Sequence, residues 1–517
     1  MITENPVVNK WLITITVMLP TIMEIVDTSV ANVALPHMKG SLNAGTDEIT
    51  WVLTSYLVSN AVILPMTGWL SRMFGRKRLL ITCITLFTIA SFLCGAAPNL
   101  GFLIFFRVIQ GAAGGALIPN SQAILMETFP PKQQGMAMAI FGIGAMFGPI
   151  VGPALGGLIT DQLNWRWIFY INIPIGVIAV IMAAAFLFDP PYLQRGKMTV
   201  DWWGLTFLVL GLGSLQVVLD KGQQDDWFDS KFITTFAILS ACSLVTLVII
   251  ELRQKYPIIN LRLFKKASFS AGNFLMFVFG FCLYSSIMLI PLFLQTLMGY
   301  DATLAGMVLA PGGVATLLTM PFVGLALAKG VDGRLIVATG LSIGGIAMFI
   351  MQGFTLQAGY WDFVWPRVVL GFGLGMVFVP LTTVTLAEVA KVDMGGATGM
   401  FNLLRNIGGS VGIAVSATLL ARYSQVFQNV LVKHVAEDSL MAQEQLANTT
   451  AGLISRMGDP VAAKQAALTL TYFELQRQAG MLSYNHIFWI LGLAFFAVIP
   501  FLLLLKKARG GPGNVPH

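Results

Sequence analysis

The sequence predicts an all-α integral membrane protein in which fourteen transmembrane helices form two pseudo-symmetric six-helix bundles joined by a two-helix insert. Its composition, its apolar runs and an internal repeat support this fold class. Of the 517 residues, 56% are hydrophobic and only 11% are charged, against roughly 25% charged residues in soluble domains. The mean hydropathy of +0.78 agrees with this composition, which excludes a soluble globular protein.

Fourteen apolar runs are long enough to cross a hydrocarbon core of about 30 Å, which takes about 20 helical residues. They begin near positions 11, 49, 79, 101, 135, 166, 203, 231, 268, 303, 334, 362, 396 and 485. An even number of spans places both termini on one side of the membrane. Lysine and arginine concentrate in the loops of that side, for example in the cluster from Arg72 to Arg78. We therefore expect cytoplasmic N- and C-termini.

An internal repeat relates the two ends of the chain at an offset of about 260 residues. Arg107, Val108, Gly111 and Gly115 recur as Arg367, Val368, Gly371 and Gly375, and Gly135, Phe141, Gly148 and Gly152 recur as Gly395, Phe401, Gly408 and Gly412. The runs near 203 and 231 have no counterpart. We therefore expect one bundle in residues 1–190, an insert in residues 191–262 and a second bundle in residues 263–517. Such duplicated bundles are typical of alternating-access carriers.

One connection, residues 422–484 on the outer side, is long and polar. Residues 441–448 have a helix-forming composition, and Gly458-Asp459-Pro460 predicts a break between two short helices. A loop of this length is usually functional or disordered. Two interpretations remain open: the connection is a docking surface for an extracytoplasmic partner, or it is a solvated cap over the exit of the transport path.

Charged side chains at membrane depth are the candidate functional residues. Glu24 and Asp27 are three residues apart and so share a face of the first helix. Asp27 lies nine residues from Pro36 and Arg107 lies seven from Leu100, roughly 13 Å and 10 Å from the outer helix ends. Their depths therefore match.

An arginine at membrane depth costs at least about 2.5 kcal/mol unless it faces a polar cavity or a counter-charge. We therefore expect Arg107 to lie beside Asp27. In this hypothesis Asp27 takes up a proton outside and releases it inside, Arg107 biases its charge, and Glu24 is the second candidate for proton coupling. The alternatives are a static tie between Asp27 and Arg107, and a structural or substrate-contact role for Glu24.

The fifth apolar run carries glycine at four-residue steps, which strips one helix face of side chains and allows a neighbouring helix to approach closely. Two prolines on this run remove backbone donors and favour a kink. We therefore predict a hinge beside the buried charge. Its residues are Gly144, Gly148, Pro149, Gly152, Pro153, Gly156 and Gly157.

The second half lacks the acid: when Pro36 is matched with Pro291, Cys282 occupies the position equivalent to Asp27. We expect proton coupling in the first half and pocket shaping in the second. Polar, aromatic and methionine side chains suit a pocket for varied ligands. The candidates are Asn32, Tyr56, Asn60, Gln110, Phe141, Tyr284, Met400, Phe401 and Arg405. For Arg405, a structural contact between helices is the alternative.

Several functional classes are disfavoured by missing patterns. The sequence has no G-x-x-x-x-G-K-[ST] stretch for ATP hydrolysis and no H-E-x-x-H or clustered His and Cys for a metal. We therefore expect no enzyme activity, no cofactor and no metal. The net charge of +7 comes with positive residues placed at the cytoplasmic loops, so no nucleic-acid partner is predicted.

The residues Gly68-Trp-Leu-Ser-Arg72-Met-Phe-Gly75-Arg76-Lys77-Arg78 resemble the motif between helices two and three of the major facilitator superfamily. Arg107 with Gly111 resembles the helix-four motif of that family, and residues 144–157 resemble its helix-five antiporter motif. The likeness covers nearly the full chain and is closest to the fourteen-helix drug:proton antiporters. One departure is Arg72, where the family motif has an acid, so a charge relay through that position is not expected.

This resemblance implies a proton-coupled antiporter that exports lipophilic, toxic small molecules across a bacterial inner membrane, driven by the proton gradient. It also implies that Gly68, Gly75 and Arg76 form a cytoplasmic loop gate. The implied partners are a periplasmic membrane-fusion adaptor and an outer-membrane channel. A proton-coupled exporter or importer of a specific metabolite with the same fold is the alternative.

Overall fold

The computed structural model of the chain describes residues 9–190, 201–254, 257–433, 435 and 440–506, and these ranges fold into helices joined by short connections. The α-helices are α1 (Lys10–Ser41), α2 (Thr46–Phe74), α3 (Arg76–Gly95), α4 (Leu100–Gly114), α5 (Leu117–Thr128), α6 (Gln134–Gln162), α7 (Trp167–Tyr170), α8 (Asn172–Phe186), α9 (Trp202–Lys221), α10 (Lys231–Arg253), α11 (Ala267–Thr296), α12 (Ala302–Ala328), α13 (Gly333–Met351), α14 (Tyr360–Leu386), α15 (Met394–Val432), α16 (Leu440–Met457) and α17 (Pro460–Ala497). Short 3-10 helices span Pro131–Gln133, Trp227–Asp229, Leu261–Lys265, Lys391–Asp393 and Ile499–Leu504.

Fourteen segments of the described chain are long and apolar enough to cross a membrane, which confirms the predicted number of spans. The fourth span combines α4 and α5, and the sixth combines α7 and α8. Polar side chains in the loops cap several of these helices. Asn99, for example, accepts a hydrogen bond from the backbone N–H of Phe102 at 3.0 Å and so satisfies a free donor at the start of α4.

The outer connection differs from the loop expected at residues 422–484. The helix α15 continues to Val432, α16 follows, and α17 begins at Pro460 rather than near residue 485. The predicted break is confirmed by the positive φ of Gly458, +73°, and by Asp459, which caps α17. The second helix is not short, because it continues into the membrane. Its outer part packs against α16, where Ala463 and Ala467 are fully buried.

The two halves pack internally and meet mainly where α2 packs against α15 and α6 against α12, with smaller contacts of α5 with α15 and of α6 with α14. Within the insert, α9 packs against α10 and also against α2 and α15, so it contacts both halves. Its Gln216 amide donates to the Ser410 hydroxyl of α15 at 2.9 Å. The expected boundary at residue 262 falls inside the 3-10 helix Leu261–Lys265, and we propose that the second half begins with α11.

Candidate functional site

A buried ion pair joins α1 to α4. The Arg107 guanidinium is fully buried, and its Nη1 donates to Asp27 Oδ2 at 2.7 Å. Its Nε donates to the backbone carbonyl of Val52 in α2 at 3.1 Å. The predicted contact between Asp27 and Arg107 is therefore confirmed, and the arginine links three helices of the first half.

The second oxygen of the Asp27 carboxylate is held by two amides. The Gln110 side chain donates to Asp27 Oδ1 at 2.9 Å and accepts from Arg107 Nη1 at 2.9 Å. The Asn172 side chain, at the start of α8, donates to the same Asp27 oxygen at 2.6 Å and to the Ser91 hydroxyl of α3 at 3.0 Å. Three hydrogen bonds of the network thus end on one carboxylate, and a change in its charge would alter each of them.

The predicted set did not include Asn172 or Ser91. Both are polar residues inside apolar runs, and both are fully buried. A buried amide in a membrane helix needs a partner, because an unsatisfied polar group there costs several kcal/mol. That requirement could have identified Asn172 as a candidate. It could not have predicted which helix supplies the hydrogen-bond partner of Asn172.

Aromatic rings enclose the guanidinium. The Tyr56 ring centroid lies 4.2 Å from the Arg107 guanidinium carbon, and the Phe169 centroid lies 5.7 Å from it. Both distances are within the range of cation–π attraction. These rings keep water from the ion pair, so a change in its charge has a large electrostatic effect.

Glu24 has a separate environment, although it shares a helix face with Asp27. It is 4% exposed, and its Oε1 accepts from the Asn60 amide of α2 at 2.9 Å. Its Oε2 has no hydrogen-bond partner among the described residues. The positive charge of Arg405, on α15 of the other half, acts on Glu24. Glu24 thus lies where the halves face each other.

The glycine face of α6 packs directly on α1. A Cβ atom on Gly148 would lie 2.3 Å from Ile25 Cγ2, and one on Gly152 would lie 2.3 Å from Ser29 Oγ. Gly144 and Gly156 also face α1, whereas Gly157 has no atom within 4 Å of its Cβ position. The helix continues without a break through Pro149 and Pro153. Four of the five predicted hinge glycines therefore form a close seam between α1 and α6.

The predicted gate residues lie at the opposite end of the first half, next to the second half. A Cβ atom on Gly68 of α2 would lie 2.4 Å from the Gly396 Cα of α15. Gly75 adopts φ +87° in the turn between α2 and α3. The Arg76 side chain forms an ion pair with Glu127 and donates to the Lys391 carbonyl at 3.1 Å.

Two further hydrogen bonds close the same end of the molecule. The Asn402 amide of α15 donates to Gln122 Oε1 of α5 at 2.7 Å, and the Thr398 hydroxyl donates to the Pro119 carbonyl at 2.9 Å. Neither contact was predicted from the sequence. They show that the two halves are bonded to each other at the end that carries the predicted gate.

The predicted pocket residues differ in exposure. Asn32 is exposed and Tyr284 is half-buried, whereas the other seven candidates are buried. Tyr56, Asn60 and Gln110 belong to the two polar networks. Phe141, Met400 and Phe401 lie in the hydrophobic core, with Phe141 stacked on Phe378 of α14 at 6.4 Å. Their role as pocket lining stays a prediction.

The second half does not repeat the ion pair. Arg367, the repeat equivalent of Arg107, is 8% exposed, and its Nη1 donates to the Ser286 hydroxyl of α11 at 3.3 Å. Cys282 is fully buried. Among the described residues, no cluster of three or more His, Cys, Asp or Glu side chains could hold a metal ion.

Comparison of folds places the helices in a known arrangement. The structure of the human organic anion transporter MFSD10 (TETRAN) matches with a TM-score of 0.59 and 13% sequence identity, covering 95% of this chain and 100% of that one. At this identity the likeness concerns the fold alone.

Sequence comparison identifies relatives of nearly equal length. The chain is 34% identical to the multidrug export protein EmrB of Escherichia coli strain K12, over 98% of each protein. It is 35% identical to the fatty acid resistance protein FarB of Neisseria gonorrhoeae, over 97% of each. The family profile of the Major Facilitator Superfamily matches residues 17–413. Within this family the chain is similar to the EmrB-like multidrug exporters. The motifs, the fourteen spans and the full-length relatives together show that the chain belongs to the Major Facilitator Superfamily, a family of transporters rather than enzymes.

Proposed function

We propose that this protein is a proton-coupled antiporter that exports lipophilic, toxic small molecules across a bacterial inner membrane. Relatives over nearly the full length are named for multidrug export and for fatty acid resistance. The observation that carries the proposal is the Asp27 carboxylate, fully enclosed and bound by Arg107, Gln110 and Asn172. A single proton on this carboxylate would change every one of those contacts.

Loss of the Asp27 charge removes the counter-charge of Arg107 and weakens three hydrogen bonds to the carboxylate. These bonds hold α1 against α4 and α8. Because α1 lies along the glycine seam of α6, and α6 packs on α12 of the other half, a movement of α1 is transmitted to the interface between the halves. Protonation at one site can thus bias the rocking of the two bundles.

The conformation supports an inside-closed state. With both termini in the cytoplasm, as the positive-inside rule predicts, the contact between Gly68 and Gly396 lies at the cytoplasmic end. We infer that the halves are joined at the cytoplasmic end.

The proposed partners are a periplasmic membrane-fusion adaptor and an outer-membrane channel. The helical outer region of α16 and the start of α17 offers the surface for the adaptor. Replacing residues 440–457 by a short Gly-Ser linker removes α16 and preserves the spans. Loss of co-purification with the adaptor supports the dock, whereas full retention excludes α16 from it.

The proposal is tested in proteoliposomes that contain the full chain. A gradient of a lipophilic toxicant is imposed while internal pH is followed, for the wild type, for Asp27→Asn and for the control Asp161→Asn. Asp161 serves as a control because its side chain is 72% exposed, and its ion-pair contact with His37, at 3.8 Å, lies outside the network around Asp27. We expect substrate-driven proton movement in the wild type and in the control, and none in Asp27→Asn despite retained substrate binding.

Unchanged proton movement in Asp27→Asn would move the coupling site elsewhere, with Glu24→Gln as the next variant. Absence of proton movement in the wild type, with several toxicants, would contradict antiport itself. A gradient-driven uptake in the import direction would favour the alternative of a metabolite carrier with the same fold.

A further inference from the structure

One buried arginine of the second half has no counter-charge. Arg107 and Arg367 occupy equivalent positions of the repeat, yet only Arg107 forms an ion pair with a carboxylate. In the described part of the chain, no acidic side chain pairs with Arg367 or acts on its charge. A buried cation without a partner is costly in a membrane, so such residues commonly mark a ligand site.

The contacts of Arg367 leave hydrogen-bonding capacity free. Its Nη1 donates to the neutral Ser286 hydroxyl at 3.3 Å, a long hydrogen bond, and its buried Nε has no partner among the described residues. The stem of the side chain is fixed, because a Cβ atom on Gly312 of α12 would lie only 2.6 Å from Arg367 Cγ. A guanidinium presents five donors in a rigid fork that matches a carboxylate. The Arg367 guanidinium is therefore held in place and has free hydrogen-bond donors for an anion.

The other membrane arginine of this half is a weaker candidate. The charge of Arg405 acts on Glu24, so that arginine already has an acid within electrostatic reach. Around Arg367, by contrast, the residues at helical spacing on the same faces include no acid. Leu283 on α11, Val308 on α12 and Leu370 on α14 are apolar and buried, and the buried Thr316 hydroxyl of α12 already donates to backbone carbonyls. A cation with apolar neighbours suits a ligand that has one negative head and an apolar body.

We propose that Arg367, positioned by Ser286 and Gly312, binds the carboxylate of amphiphilic anionic substrates and thereby sets a preference for them. This inference rests on the proposed export function and adds a substrate class to it. The ligand neutralises the guanidinium, and Asp27 remains free to carry the proton in the other half. Anion recognition and proton binding are then separated by the interface between the bundles.

The test is equilibrium binding to the purified full-length protein in detergent, with decanoate as the anionic probe and decanamide as its uncharged isostere. The variants are Arg367→Gln and the control Arg477→Gln, which removes an exposed arginine outside the membrane. We expect Arg367→Gln to weaken decanoate binding about tenfold, as the loss of a charge-assisted hydrogen bond implies. Decanamide binding should be unchanged, and the control should bind both probes like the wild type.

A second variant keeps the proposal testable if Arg367→Gln does not fold. Ser286→Asp places an internal carboxylate against the guanidinium, so it should compete with decanoate and weaken its binding about tenfold. Equal weakening of decanoate and decanamide would show a general structural effect and overturn the proposal, as would unchanged decanoate binding in both variants. Because no proton gradient is used, these outcomes are independent of the antiport measurement.

Discussion

Replacement of Gly148 by alanine should push α1 away from α6. The added methyl group would lie 2.3 Å from Ile25 Cγ2 and 2.9 Å from the backbone carbonyl carbon and oxygen of Ile25. Carbon atoms in contact are normally about 3.5–4.0 Å apart. The backbone of Ile25 cannot rotate out of the way as a flexible side chain could, so the helix as a whole has to move by about 1 Å.

The expected free-energy change combines two opposed effects. Overpacking of this kind costs about 1–3 kcal/mol, whereas alanine in place of glycine stabilises a helix by about 0.5–1 kcal/mol. Gly157, nine residues further along the same helix, has no atom within 4 Å of its Cβ position. The change Gly157→Ala therefore keeps only the favourable effect, and the two variants should differ by about 1–3 kcal/mol.

The difference is measured as the free energy of unfolding in mixed detergent micelles, together with substrate-driven proton movement in proteoliposomes. We expect Gly148→Ala to be less stable than the wild type and to couple poorly, and Gly157→Ala to be equal to the wild type or more stable with normal coupling. Equal stability of the two variants would refute the close seam. If Gly148→Ala is less stable but couples normally, the result would refute the role of the glycine seam in transmitting movement from α1.

Three other changes test neighbouring contacts. Arg107→Met leaves the buried Asp27 carboxylate without its cation and should cost about 3–5 kcal/mol, seen as a lower thermal midpoint that Asp27→Asn partly restores. Asn172→Leu removes a charge-assisted hydrogen bond and should cost about 1.5–3 kcal/mol of unfolding free energy. Gly68→Val places a side chain against Gly396 and should hold the cytoplasmic end open, measured as faster labelling of cysteines introduced at that end.

Much of the membrane part follows from residue order alone. Apolar runs of sufficient length predicted the fourteen spans, because hydrocarbon requires about 20 helical residues to cross it. Matching depths of Asp27 and Arg107 predicted their contact, since a buried guanidinium needs a counter-charge. The glycine steps predicted a close approach, and α1 is the helix that approaches.

Other features depend on the tertiary arrangement. Depth can be counted from helix ends, but which helix brings an amide to Asp27 depends on how α8 packs, so Asn172 was missed. The outer connection was predicted as a polar loop with two short helices, because its polar composition does not show where a membrane helix begins. Residues 440–457 and the start of α17 are instead polar helices, stabilised where Ala463 and Ala467 pack against α16.

The asymmetry between the repeats suggests that the two halves have different functions, which the duplicated fold does not require. In the described chain the network around Asp27 draws its side chains from the first half alone, so a proton acts on the second half through packed helices and through the charges of Glu24 and Arg405. One path runs from α1 to α6 along the glycine seam and from α6 to α12 across the interface, and a second runs from α4 to α2 and from α2 to α15. Arg367 occupies the position equivalent to Arg107 but has no acidic partner among the described residues. Its guanidinium is then free to respond to the charge of a substrate. Proton and substrate would thus bias the same rocking motion from opposite bundles, which is the condition for coupling through alternating access rather than through direct competition.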